Sequence, residues 1–144
     1  MKVLVTGGDG QLGHDVVSVL QASGRQVIAP PQAELDFMAP ASIDAIISEY
    51  RPDVVVNCAA YTQVDKAESE ADTAFAVNRD APGQLARAVA GTGGRLLQVS
   101  TDFVFDGKAS EPYAESSPAQ PLSVYGRSKL AGEQAVMEAL PNEG

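Results

Sequence analysis

Apolar residues fall into two rhythms along this chain. One is a run of four or five mostly β-branched positions, and the other is a longer stretch with an apolar residue every third or fourth place. Their alternation predicts a parallel sheet covered by helices on both faces. Residues 2–6 read as a first buried strand. Leu12, Val16, Val19 and Leu20 then keep helical spacing over 11–23, and Gly24 closes that helix. A second strand over 26–29 ends at Pro30 and Pro31, and 33–36 is expected to add a brief third one. Pro40 stands where a first helical turn tolerates proline, ahead of a helix over 41–50. The valines of 53–57 suit a central strand buried on both faces. Thr62-Gln63-Val64-Asp65 has the spacing of a helix-capping box, so the acids near 65–70 read as caps and solvated faces. A long helix is predicted over 73–90, broken by Gly91 and the Gly93-Gly94 pair. A fifth strand follows over 95–99, then a loop rich in Ser, Pro and Gly from 100 to 121, and a last helix over 124–139.

Composition narrows what such a fold does. The 144 residues fit one domain with a real core, and 44% apolar with 20% charged residues suggests neither disorder nor a fibre. A net charge of −9, spread along the chain, argues against nucleic acid as a partner. The apolar run before Gly7 is too short for a signal peptide or a membrane span, which points to the cytoplasm. Cys58 is the sole cysteine, so no intramolecular disulfide forms, and its apolar surroundings suggest a core residue. His14 is the sole histidine and reads as a partly exposed helix residue; no metal site is expected.

Chemistry enters at the first strand-to-helix turn, Thr6-Gly7-Gly8-Asp9-Gly10-Gln11-Leu12-Gly13. Glycines at 7, 10 and 13 let backbone amides and a helix N-terminus approach a pyrophosphate. The spacing is the Gly-x-x-Gly-x-x-Gly variant seen in short-chain dehydrogenases and reductases. That resemblance calls for a Tyr-x-x-x-Lys pair on a later helix, and Tyr125-Gly126-Arg127-Ser128-Lys129 supplies it. A spacing of four puts both side chains on one helix face. An ammonium beside a phenol favours phenolate, which would draw Tyr125 towards a useful acid–base range. Ser100-Thr101-Asp102 and Asn57-Cys58-Ala59-Ala60 end the fifth and fourth strands, where an open parallel sheet places its ligand crevice. The predicted fold is therefore a doubly wound, Rossmann-like parallel sheet of order 3-2-1-4-5, with NAD(P) at its switch point.

Longer strings resemble the dTDP-4-dehydrorhamnose reductase family over essentially the whole chain. They are Gly10-Gln11-Leu12-Gly13, the run from Asn57 through Tyr61-Thr62-Gln63-Val64-Asp65-Lys66 to Glu68, Ser100-Thr101-Asp102-Phe103-Val104-Phe105-Asp106-Gly107, and Tyr125 through Glu133. The resemblance implies NADPH or NADH as cofactor and a dTDP-linked 4-keto-6-deoxy sugar as substrate, reduced to dTDP-L-rhamnose. It implies Thr101, Tyr125 and Lys129 as the catalytic trio. Gly7, Gly10, Gln11, Leu12, Gly13, Asp36, Phe37, Ala59 and Ala60 would bind cofactor together with Tyr125 and Lys129, Asp102 and Phe103 would face the sugar, and Asn78 would support the site. A homodimer is compatible with it. Phe103 stands where the family usually has Tyr. Ala29-Pro30-Pro31 offers neither an acid for a ribose 2′-hydroxyl nor an Arg for a 2′-phosphate, so the cofactor choice stays open. The family continues past the Tyr-Lys helix into a smaller sugar-gripping domain, so this chain is expected to be an incomplete cofactor domain and inactive alone. Two alternatives remain, a nucleotide-sugar epimerase or dehydratase and a non-catalytic cofactor-binding subunit.

Overall fold

The computed structural model describes residues 1–140. Four parallel strands, β1 (Lys2–Thr6), β2 (Gln26–Ile28), β3 (Val54–Asn57) and β4 (Arg95–Gln98), form one sheet in the order β2-β1-β3-β4. The chain steps one way from β1 to β2 and the other way from β2 to β3 and β4. Right-handed crossovers therefore put the connecting helices on opposite faces. Helix α1 (Gln11–Ala22) lies along β1 and β2 on one side; α2 (Pro40–Tyr50) and α5 (Ala81–Thr92) pack together on the other. Leu4 and Val55 join Ile43, Ile46, Ile47, Leu85 and Val89 in the main core. The doubly wound parallel sheet read from the sequence is thus the observed fold. Among the described residues no helix is long and apolar enough to cross a membrane.

The brief strand expected over 33–36 is not formed. The amides of Glu34 and Leu35 both donate to the Pro31 carbonyl, at 2.9 and 3.1 Å, closing a turn that drops Leu35 alone into the core. Pro30 and Pro31 lack the N–H groups a ladder needs, so extended pairing loses to the turn. The predicted capping box is absent as well. Helix α3 (Val64–Ala67) begins after Gln63 with no side-chain cap, and its entry is set by Asn78, whose Oδ1 accepts from the Tyr61 amide at 2.8 Å. Glu68 does act as a cap, but of a different helix. Its Oε1 accepts from the Val124 amide at 2.8 Å, at the start of α6 (Val124–Ala139).

The predicted helix over 73–90 is observed as three consecutive pieces, α4 (Ala71–Phe75), a π turn (Ala76–Asp80) and α5. Asn78 lies in the π turn, and α6 crosses there at Gly132. A Cβ built on Gly132 would stand 2.0 Å from the Asn78 carbonyl oxygen, so a methyl group would wedge the two helices apart. Gly132→Ala is accordingly expected to cost about 1–3 kcal/mol in urea unfolding, as overpacking against backbone does. Gly91→Ala is the control. Nothing lies within 4 Å of a Cβ at Gly91, near the end of α5, and alanine there is expected to stabilise by about 0.5–1 kcal/mol.

Candidate functional site

The first turn is built by close backbone contact. Gly7 takes φ +66°, and the Gly10 amide donates to its carbonyl at 2.9 Å. A Cβ on Gly13 would meet that same carbonyl oxygen at 2.1 Å, so only glycine lets α1 sit so near the strand end. No side chain caps α1, and Gln11, Leu12 and Gly13 of its first turn line a cavity of about 720 Å³. Free first-turn amides and the positive end of the helix dipole are what a diphosphate needs.

Beneath the turn runs a row of polar side chains. Thr6, Asn57 and Gln98 are register partners at the carboxyl ends of β1, β3 and β4. Thr6 Oγ1 donates to Asn57 Oδ1 at 2.5 Å, Asn57 Nδ2 to Gln98 Oε1 at 2.7 Å, and Gln98 Nε2 to the Val99 carbonyl at 3.0 Å. The direction is forced from the far end. A carbonyl only accepts, so Gln98 must present its amide to Val99 and its oxygen to Asn57, and Asn57 must then offer its own oxygen to the threonine hydroxyl. Thr6 Oγ1 also accepts from the Ala59 amide at 3.3 Å, which ties the row to the segment after β3.

Helix α6 brings Tyr125 and Lys129 to the same cavity, both buried. Ser123 Oγ accepts from the Gly126 amide at 3.0 Å and caps the helix. Asn78 Nδ2 donates to Ser128 Oγ at 3.0 Å, and Ser128 donates to the Tyr125 carbonyl at 2.7 Å, so the π turn fixes the helix from behind. Lys129 Nζ donates to the Val99 carbonyl at 2.7 Å, the acceptor already used by Gln98. Burial pulls its pKa below the usual lysine range, and the charge of Glu133 acts the other way.

The cavity gathers Gly7, Gly10, Gln11, Leu12, Gly13, Asp36, Phe37, Ala59, Ala60, Tyr125 and Lys129 from the sequence-derived set. Thr101, Asp102 and Phe103 stand outside its lining. Thr101 Oγ1 accepts from the Phe103 amide at 3.2 Å within a short 3₁₀ turn (Asp102–Val104), and the Phe103 ring meets the Tyr125 ring edge-on at 5.5 Å. Cys58 departs from its reading as a core residue. It is half-buried and lines the cavity, because β3 ends at Asn57 and the chain turns outward there; burial pushes its thiol pKa up. His14 is exposed on α1. Thr6, Val77, Gln98 and Glu133 carry no role in the sequence reading, although Thr6 and Glu133 stand inside its motifs and the spacing of four from Lys129 to Glu133 is visible. Among the described residues no three His, Cys, Asp or Glu side chains gather as a metal site.

A family model described as RmlD substrate binding domain matches residues 1–143. The chain belongs to the RmlD family. Within it, the chain is 48% identical over 141 residues to the dTDP-4-dehydrorhamnose reductase of Streptomyces griseus, covering 98% of this chain and 46% of that protein. It is 42% identical to the dTDP-4-keto-6-deoxy-D-glucose reductase of Streptomyces niveus, with 98% and 49% covered. The crystal structure of the Bacillus anthracis dTDP-4-dehydrorhamnose reductase in complex with NADP superposes with a TM-score of 0.92 at 36% identity, over 96% of this chain and 49% of that one. The chain thus spans about half the length of the RmlD-family relatives it matches.

Two outcomes test this geometry. Thr6→Val leaves the buried Asn57 oxygen without its donor and is expected to cost about 1–3 kcal/mol in urea unfolding, against almost nothing for Thr92→Val, whose hydroxyl bonds only its own helix at Val89. Lys129→Met should unfold no earlier than the parent at neutral pH, since it removes a desolvated charge. The native pKa is lowered, so between it and the unfolded value the unfolded chain binds more protons. The parent therefore gains stability on the variant as pH rises through that window, with the cost of burial fully present below it. Thermal melts of both proteins from neutral to alkaline pH read this difference.

Proposed function

We propose that this chain is the cofactor-binding half of an NAD(P)H-dependent reductase that reduces the 4-keto group of a dTDP-linked 6-deoxy sugar, giving dTDP-L-rhamnose. The observation that carries the reading is that the uncapped α1 N-terminus and the Tyr125–Lys129 pair line one cavity at the point where the strand order reverses. The residues fit a dinucleotide. Gly10 is exposed at the mouth, and a Cβ there, 3.2 Å from the Gly7 carbonyl oxygen, would begin a side chain where a diphosphate approaches the amides. After β2 the lining carries Pro30 and Gln32, with Asp36 further along the same segment, and these lining residues include no Lys or Arg for a 2′-phosphate.

Bound in this cavity, the nicotinamide cofactor supplies the hydride that reaches the sugar C4. Tyr125 holds the proton that goes to the ketone oxygen, so that ketone becomes alcohol with both hydrogens accounted for. The Lys129 ammonium stabilises the phenolate left behind. Thr101, the residue after the cavity-lining Ser100, orients the ketone oxygen, and Asp102 and Phe103 border the sugar. The family relationship to reductases of dTDP-linked keto sugars supports this substrate class over an epimerase substrate.

Calorimetric titration with NADPH and NADH tests the site. The parent is expected to bind at least one of them, and Gly10→Val is expected to lose at least about tenfold in affinity while keeping its fold. Equal binding by the two proteins would overturn the cofactor assignment. For the chemistry, Tyr125→Phe in this chain joined to the second half of the Streptomyces griseus relative is expected to lower turnover about 10²–10⁴-fold with cofactor affinity retained, followed as NADPH oxidation with the dTDP-linked 4-keto sugar.

A further inference from the structure

Lys129 is buried at 4% exposure, and the acceptor on its ammonium is a neutral carbonyl already shared with Gln98. A cation so placed needs countercharge, since a carbonyl does not restore what water supplied. The other members of its surroundings do not provide it in contact. The cavity brings Asp9, Asp36, Cys58 and Tyr125 to the same space, and none is paired with the ammonium among the described residues. On the elements packed against α6, Lys66 pairs with Glu70, Arg79 pairs with Asp80 and Arg87 bonds Gln84. Asp65, Asp72 and Asp102 are exposed, and Glu68 is taken by the Val124 amide.

Glu133 is not in ion-pair contact with the ammonium either, but it lies on Lys129's own helix. It follows Lys129 by one turn of α6, on the same face, and its Oε1 accepts from the Ser100 hydroxyl. Ser100 is the next residue after Val99. Two consecutive residues beyond β4 thus grip two residues a turn apart on α6: the Val99 carbonyl takes the Lys129 ammonium, and the Ser100 hydroxyl takes the Glu133 carboxylate. We propose that Glu133, anchored by Ser100, is a positioning residue that keeps Lys129 charged and aimed into the cavity. This deepens the proposed function, because it rests on Lys129 serving the Tyr125 site. The competing role is a staple that merely ties α6 to the end of β4, and it needs the hydrogen bond but not the charge.

Glu133→Gln separates the two, since a carboxamide oxygen still accepts from Ser100 while the charge is gone. The readout is the titration of the lysine side chains by NMR of ε-carbon-labelled protein without cofactor; the chain has four lysines, and Lys129→Arg assigns the one in question. Glu133→Gln is expected to lower the Lys129 midpoint by about one pH unit, a tenfold change in its ionisation constant, leaving Lys2, Lys66 and Lys108 unmoved. Ser100→Ala, which keeps the charge and frees it, is expected to move Lys129 in the same direction by less. An unchanged Lys129 midpoint in Glu133→Gln overturns the proposal in favour of the staple. Should that variant lose the amide spectrum of the parent, an unchanged midpoint in Ser100→Ala overturns it instead. NADPH titration of the same samples keeps the two readings apart, because a parent that binds no cofactor refutes the cofactor site and leaves the Lys129 result standing.

Discussion

Buried polar atoms must find partners, and at the carboxyl edge of this sheet that demand organises everything above it. Leu4 and Val55 face the main core, and two residues later the same face of the sheet carries Thr6, Asn57 and Gln98. The core therefore ends in a polar floor whose bonds run in one direction, from the Ala59 amide through Thr6, Asn57 and Gln98 to the Val99 carbonyl. The segment after β3, the end of β4 and Lys129 all attach to that floor. In a low-dielectric setting such a chain is worth more complete than its links suggest, and costs more when broken.

Upon this floor the helices are held by close approach rather than by bulk. Gly13 brings α1 onto the first turn, and Gly132 brings α6 onto the π turn. The π turn itself places Asn78 where its carboxamide reaches two ways, to both backbone groups of Tyr61 and to Ser128 beneath Tyr125. One side chain thus sets the path of the chain before α3 and the seating of the Tyr-Lys helix. Rigid elements position Tyr125 and Lys129, whereas Thr101 to Phe103 stand on a short turn more open to solvent.

What the sequence disclosed follows from which interactions are local. Strands β1 and β3 are legible because runs of valine and leucine have no other home, and α6 because its spacing and Ser123 cap are local. Residues 33–36 alternate like a strand, yet the preceding prolines and the turn at Pro31 decide otherwise. Likewise the pattern Thr62 to Asp65 fits a capping box, but Asn78, distant in sequence, fixes that entry. The glycine turn and Tyr-Lys pair could be read directly, since the chemistry dictates the residue types. Gln98 and Glu133 could not be weighed, because their meaning lies in Val99 and Ser100 opposite them and not in their own neighbours. Cys58 looked like core from its apolar neighbours, while the strand ending one residue earlier puts it on the cavity wall.

The one-way direction of the polar floor has a further consequence for how this fold can change. Asn57 and an aspartate differ by a single NH₂ exchanged for oxygen and have nearly the same shape. An ionised carboxylate at that place would set acceptor against acceptor where Asn57 now donates to Gln98. A substitution that volume would judge silent, including slow hydrolysis of that amide with age, therefore strikes the floor of the site, whereas the apolar row beneath it answers to size. At this edge of the sheet, identity is carried by the placement of hydrogens.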